Sequence, residues 1–248
     1  MGIGIGDSNP AERGRGNQEG KVSETIELRW TWLGRVAYAR ALQIQRALRD
    51  RVIAGTDPGA LLLLEHPPVL TQGRHGRDEH LVAAPAELER LGIEVHRIER
   101  GGDVTYHGPG QLVGYPILPV RGGVKRFVKA LADAAAQVLA DWGIESFWDD
   151  ARPGLWTKSG KIAAVGLHVA RGVALHGIAL NVDPDLEHYR LIVPCGLAGS
   201  GVTSMARLLG TAPPLPEVAE RFAAAFTPAP GVGRRTRLRP EALLHEAP

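Results

Sequence analysis

The sequence predicts an α/β (α+β) single domain with mixed β-sheets flanked by helices, and three observations predict it. Residues 124–142 place Phe127, Leu131, Ala135, Val138 and Trp142 on one side of a helix. Two strand-like runs, 161–169 and 173–182, are joined by Ala170-Arg171-Gly172, a hairpin signal. Shorter apolar runs alternate with helical ones without a regular βαβ winding, as expected for a mixed sheet. A length of 248 residues permits one sizeable core or two small domains.

The elements follow in order. Residues 25–33 alternate apolar and polar positions like a half-buried strand. Residues 36–53 carry Leu42, Gln45, Leu48 and Val52 at helical spacing, and Gly55 is the stop. Residues 60–64 read as a buried strand, 85–91 as a short helix, and 93–98 as another strand. Residues 111–118 read as a strand ending in the Pro116 and Pro119 region, and a last helix fits 216–226. Residues 1–22 lack a hydrophobic period and read as a disordered arm, 23–227 as the folded domain. Residues 228–248, rich in Pro, Arg and Gly, read as a loosely ordered tail with a short helix near 240–245.

Composition narrows the function. A net charge of +2 gives no basic surplus for nucleic acid, so no nucleic-acid partner is expected. The longest apolar run, 60–64, is far too short to cross a bilayer, so no membrane partner is expected either. The first residues lack the apolar stretch of a secretory leader, and Gly6 stands where myristoylation wants Ser or Thr. A single cysteine excludes an internal disulfide framework and leaves one thiol, which suits a reducing cytoplasm.

Chemistry concentrates in four stretches. The run Arg100, Gly101, Gly102, Asp103, Val104, Thr105, Tyr106 and His107 continues into Gly108-Pro109-Gly110-Gln111, and four glycines there allow close approach to a ligand. It is neither a dinucleotide fingerprint nor a P-loop, and by itself it could be a structural turn. Lys161 opens the strand containing Ala164, Val165 and Gly166; alone it reads as a surface residue, but drawn into an apolar site it could trade protons near neutrality. His176, Gly177 and Ile178 lie in a strand whose small residues leave room for a ligand or another backbone, and His176 fits a core role equally. Cys195, between Pro194 and Gly196, sits on a tight loop, where it is a reactive thiol or an inert small hydrophobe. Val202-Thr203-Ser204 reads as the cap of a helix starting near Met205, whose N-terminus could favour a thiolate.

Taken together, these stretches resemble the lipoyl(octanoyl) transferases, octanoyl-[acyl-carrier-protein]:protein N-octanoyltransferases. The motifs are Leu64-Glu65-His66-Pro67, Gly73-Arg74, 100–111, 161–166, 176–181, Pro194-Cys195-Gly196 and Val202-Thr203-Ser204, all in one order over about residues 28–226. The resemblance implies the fold of the lipoate and biotin protein ligase catalytic domains. It assigns the nucleophile to Cys195, the activating lysine to Lys161, and the acyl pocket to 100–107, 164–166 and 176–178. Asp103 departs from the Gln or Lys of many relatives, and Ile178 from the common Phe, differences expected to tune pocket shape.

The implied reaction moves an octanoyl group from acyl carrier protein, through a Cys195 thioester, to a lysine of a lipoyl domain. Thioester to amide is downhill, so neither a cofactor such as ATP nor a metal is expected. The implied acceptors are the lipoyl domains of 2-oxoacid dehydrogenase E2 subunits and the glycine cleavage H protein, and the chain is expected to be a monomer. Arg35, Arg40, Arg46, Arg49, Arg51, Arg74, Lys125, Arg126 and Lys129 offer a basic rim for such acidic partners, or an ordinary solvated helix face. The rival readings are an ATP-dependent lipoate or fatty-acid ligase on the same fold, a non-catalytic acyl-binding module, and a thioesterase.

Overall fold

The computed structural model describes residues 26–193 and 201–244. The expected arm at 1–22 and the Cys195 loop therefore lie outside the described residues. In chain order the strands are β1 (Ile26–Arg35), β2 (Ala60–Glu65), β3 (Val69–Gln72), β4 (Glu94–Arg97), β5 (Val104–His107) and β6 (Gln111–Ile117). They continue with β7 (Phe147–Trp148), β8 (Leu155–Thr157), β9 (Gly160–Ala170), β10 (Val173–Asn181) and β11 (Val232–Arg237). The helices are α1 (Tyr38–Ala54), α2 (Pro85–Leu91), α3 (Val124–Asp141), α4 (Met205–Leu209), α5 (Leu215–Ala225) and α6 (Glu241–Leu244).

An eight-stranded sheet runs in the order β11-β1-β2-β6-β10-β9-β8-β7. It is mixed, as expected: β1 is parallel to β2 and β11, and the other pairs are antiparallel. A smaller sheet, β4-β3-β5, is built on the Gly-rich region. Helix α1 covers one face of the large sheet, packing on Leu62, Leu64, Val113 and Leu175. Helices α3 and α5 cover the other face, over Leu61, Leu63, Leu112 and Leu180. This two-sided burial explains why β2 is apolar at every position from Ala60 to Leu64: alternate side chains feed different cores.

Local signals hold where they are strong. Gly55 closes α1 in the left-handed conformation (φ 75°) and donates to the carbonyl of Val52. Helix α2 spans 85–91, as read from the sequence. The hairpin turns at Arg171 and Gly172, both with positive φ. Ser204 caps α4, its hydroxyl accepting from the Arg207 amide at 3.2 Å.

Two readings are corrected. The tail is not loosely docked through residue 244: β11 pairs in parallel with β1, and Leu243 is buried against the α1 core. The Gly-rich run is not all turn, because Val104–His107 forms β5 antiparallel to β3. Strand β6 ends at Ile117, between Pro116 and Pro119 as expected, with Pro116 itself paired opposite Leu61 of β2.

That proline has a consequence. The β6–β10 ladder stops at Gly114↔Ile178 and returns only as an isolated bridge, Pro119↔Val173. In the gap His176 takes a left-handed conformation (φ 59°), and its backbone N–H donates to Gln45 Oε1 of α1 at 2.9 Å. The helix thus satisfies an amide that the neighbouring strand has released.

Buried histidines link this region to pH. His66 Nδ1 donates to the Val36 carbonyl (2.7 Å), so Nε2 accepts from the Tyr115 hydroxyl (2.8 Å). His107 Nδ1 donates to Gln111 Oε1 at 2.7 Å. Burial lowers the pKa of His66 to about 4 and that of His107 to about 3, so both are neutral in the folded protein. The unfolded chain binds these protons near pH 6.5 and the folded chain only below about 4, so acid favours unfolding. We expect stability to fall as pH drops below 6.5, with a slope approaching about 1.4 kcal/mol per pH unit for each histidine. Urea midpoints at pH 7 and 5.5 measure it; equal midpoints would contradict the assignment of neutral rings.

Candidate active site

One cavity of about 300 Å³ lies between β5, β9, β10 and the start of α1. That is the low end of the roughly 300–1,000 Å³ usual for small-molecule sites. Arg100, Gly101, Gly102, Asp103, Val104, Thr105 and His107 line it, with Ala164, Val165 and Gly166 from β9 and His176, Gly177 and Ile178 from β10. Lys161 is on the same wall. Three stretches remote in sequence are therefore brought together. Tyr106 alone of the 100–107 run turns away: it is buried against Leu70 and Leu88, and its hydroxyl meets His188 Nδ1 at 2.9 Å.

The wall is built by strand pairing. Gly177 sits opposite Gly166, so the two segments face each other across one ladder. A Cβ on Gly177 would lie 2.0 Å from the Gly114 carbonyl oxygen and 2.8 Å from Pro116 Cδ. The small residue therefore makes room for another backbone, one of the two roles read from the sequence. Arg100 is buried, and its guanidinium donates to the Thr71 carbonyl at 2.6 Å and the Thr71 hydroxyl at 3.0 Å. This ties β3 to the cavity's glycines.

Lys161 is half-buried rather than fully exposed. Its Nζ lies 5.4 Å from the centroid of the Trp156 ring, within cation–π range. A Cβ on Gly154 would stand 2.3 Å from Lys161 Cε, so the lysine stem occupies space that only glycine leaves open. The Lys161 backbone is held on both sides: its N–H donates to the Gly201 carbonyl (2.9 Å), and its carbonyl accepts from the Thr203 amide (3.0 Å).

A buried amide network continues from there. Asn181 Nδ2 donates to the Thr203 carbonyl at 3.0 Å, while its Oδ1 accepts from Gln111 Nε2 (2.9 Å) and from the Tyr189 hydroxyl (3.1 Å). Gln111 in turn accepts from His107. Hydrogen bonds thus run from His107 of β5 through Gln111 and Asn181 to Thr203 and the Lys161 backbone. The Thr203 hydroxyl has no partner among the described residues, but the side-chain amides of Gln111 and Asn181 are paired at both ends, which restricts the geometry they can adopt.

Cys195 lies outside the described residues, but the chain on both sides of 194–200 is placed. On the entering side the Val193 amide donates to the His80 carbonyl at 2.8 Å. The His80 ring pairs with the cavity residue Asp103, Nδ1 to Oδ2, at 2.5 Å. On the leaving side Gly201–Thr203 runs along Lys161, and Val202 lines the cavity. Both ends are anchored at one cavity.

Sequence reasoning missed Tyr38, Tyr115, Asn181 and Tyr189 as lining residues. Asn181 fell within a quoted motif, but nothing local marks Tyr38 at the start of α1. The basic residues do not form one rim. Lys125, Arg126 and Lys129 are on α3, across the sheet from α1, and Lys129 pairs with Asp133 (2.7 Å). Arg35 pairs with Glu65 (3.0 Å) and Arg46 with Glu99 (3.3 Å).

With this geometry in place, the comparisons with known proteins agree with the motif resemblance. A family model described as the lipoyl protein ligase A/B catalytic domain matches residues 37–227. The chain belongs to that family. More particularly, it is 51% identical over 197 residues to an octanoyltransferase of Solibacter usitatus (strain Ellin6076), covering 78% of this chain and 89% of that one. It is 47% identical over 200 residues to an octanoyltransferase of Chloroflexus aggregans (strain MD-66 / DSM 9485), covering 78% and 90%. The class of enzyme is accordingly an acyltransferase. In fold it is similar to a lipoate-protein ligase A solved with ATP bound, with a TM-score of 0.71 at 17% identity over 89% of this chain and 94% of that one.

Proposed function

We propose that the chain transfers an octanoyl group from acyl carrier protein to a lipoyl-domain lysine, with Cys195 as nucleophile and Lys161 as its acid–base partner, in protein lipoylation. The carrying observation is that the segment containing Cys195 is tied at both ends to one cavity whose wall includes Lys161. Family membership and the names of the relatives support the reaction class.

In the first half-reaction the Cys195 thiolate attacks the thioester carbonyl; the new S–C bond forms as the carrier's C–S bond breaks, and the departing carrier thiolate takes up the proton of the Lys161 ammonium. In the second, a neutral lysine amine of the acceptor attacks the acyl-cysteine. Lys161 accepts the amine's proton, and the cysteine sulfur leaves. The alkyl chain lies along β9 and β10, where Ala164, Gly166, Gly177 and Ala179 keep the wall thin and apolar. The acceptors are the lipoyl domains of E2 subunits and of the glycine cleavage H protein, and the setting is the cytoplasm. Among the described residues no helix is long and apolar enough to cross a membrane.

Intact mass spectrometry after incubation with octanoyl-acyl carrier protein tests the reading. One octanoyl adduct is expected on the wild type, without ATP. A strict need for ATP would move the chain to the ligases.

A further inference from the structure

The cavity ends, away from Lys161, at groups that acyl transfer does not use. His176 is opposite Leu167, six residues along β9 from Lys161. It is 2% exposed, it lines the cavity, and its Nε2 has no hydrogen-bond partner among the described residues; the acidic oxygen Glu99 Oε2 is 3.9 Å away. Tyr38, 3% exposed, lines the same cavity, and its hydroxyl also has no hydrogen-bond partner among the described residues. Gln45, which holds the His176 backbone, lies two turns further along α1 on the same face.

Two features set these groups apart from an ordinary core. His176 keeps a backbone conformation (φ 59°) that L residues adopt only at a cost, and it keeps it where the ring faces the cavity. Of the neighbouring rings, His66 is paired with Val36 and Tyr115 and His107 Nδ1 with Gln111, whereas Gln45 Nε2, beside His176, also has no partner among the described residues. An alkyl tail cannot satisfy a buried hydroxyl or ring nitrogen. Burial lowers the His176 pKa to about 4, so its ring is neutral, and Nε2 donates or accepts according to tautomer.

We propose that this end of the cavity, formed by the Tyr38 hydroxyl and His176 Nε2, is a hydrogen-bonding subsite for a hydroxyl group near the far end of a medium-chain acyl substrate. A hydroxyl donates once and accepts, which matches two groups that each do either. The proposal deepens the acyl-transfer reading and rests on it. It widens the substrate class from plain alkyl chains to chains hydroxylated at their distal carbons.

The test compares octanoyl- and 8-hydroxyoctanoyl-acyl carrier protein as donors for the wild type and Tyr38→Phe. A dry apolar end rejects an added hydroxyl by about a hundredfold in kcat/KM. The wild type is expected to discriminate by less than about tenfold, and Tyr38→Phe to shift the ratio against the hydroxylated chain by about tenfold, whatever it does to octanoyl transfer itself. Hundredfold rejection by the wild type, or a ratio unmoved by Tyr38→Phe, overturns the subsite. Calorimetry with octanoate and 8-hydroxyoctanoate gives the same ratio without chemistry. If no acyl group is transferred at all, the acyl-transfer reading fails, and the calorimetric ratio still decides the subsite.

Discussion

Cys195→Ala is expected to carry no octanoyl adduct and to lose transfer by more than about a thousandfold, the scale on which removing a nucleophile acts. Cys195→Ser should fall nearly as far, because an alcohol at neutral pH is far less ionised than a thiol. Lys161→Ala should slow both half-reactions by about a hundredfold, the loss typical of a general acid–base group. The lysine stem sits against Gly154 and Trp156, and its backbone is hydrogen-bonded to Gly201 and Thr203, so truncation removes the amine while the backbone anchors remain. Single-turnover acylation and deacylation, each read by intact mass, separate the two steps. Unchanged rates in Lys161→Ala would remove it from the mechanism. Full-rate transfer by Cys195→Ala would end the thioester proposal.

Gly177→Ala is expected to destabilise the fold by about 3 kcal/mol and to abolish most transfer, although it adds a single methyl group. The added carbon would stand 2.0 Å from the Gly114 carbonyl oxygen and 2.8 Å from Pro116 Cδ. Neither atom belongs to a flexible side chain, so β6 and β10 must separate, and the cavity wall moves with them. Gly172→Ala is the control. It sits in the β9–β10 turn at φ 80° with nothing among the described residues within 4 Å of the new carbon, so it meets only local backbone strain, about 1 kcal/mol. Urea denaturation of both variants checks the contrast. Equal midpoints would show that the β6–β10 approach is not tight.

Elements with a strong internal period were legible from sequence. Helix α3 announces its buried stripe, and the β9–β10 hairpin carries its own turn chemistry in Arg171 and Gly172. Strand β5 was hidden because its glycine neighbours suggested a turn, although Val104 and Tyr106 alternate with Thr105 and His107. Strand β11 was hidden by its charge: Arg234, Arg235 and Arg237 suit an edge strand, where polar residues deter pairing with other chains. Four residues of β3 are too few to show a period.

The sequence by itself determined the chemistry on offer, namely one thiol, one lysine opening a strand of small residues, and glycine runs that admit a ligand, because residue type and local spacing are written along the chain. Only the tertiary structure decided which of these meet. Strand pairing sets Gly166 against Gly177, α1 brings Tyr38 and Gln45 to His176, and the Asn181 amide bonds the segment beyond Cys195 to the network beside Lys161. These contacts join residues far apart in the chain. They form only when burying both faces of the sheet repays the entropy of closing such long loops, and no local pattern records that balance.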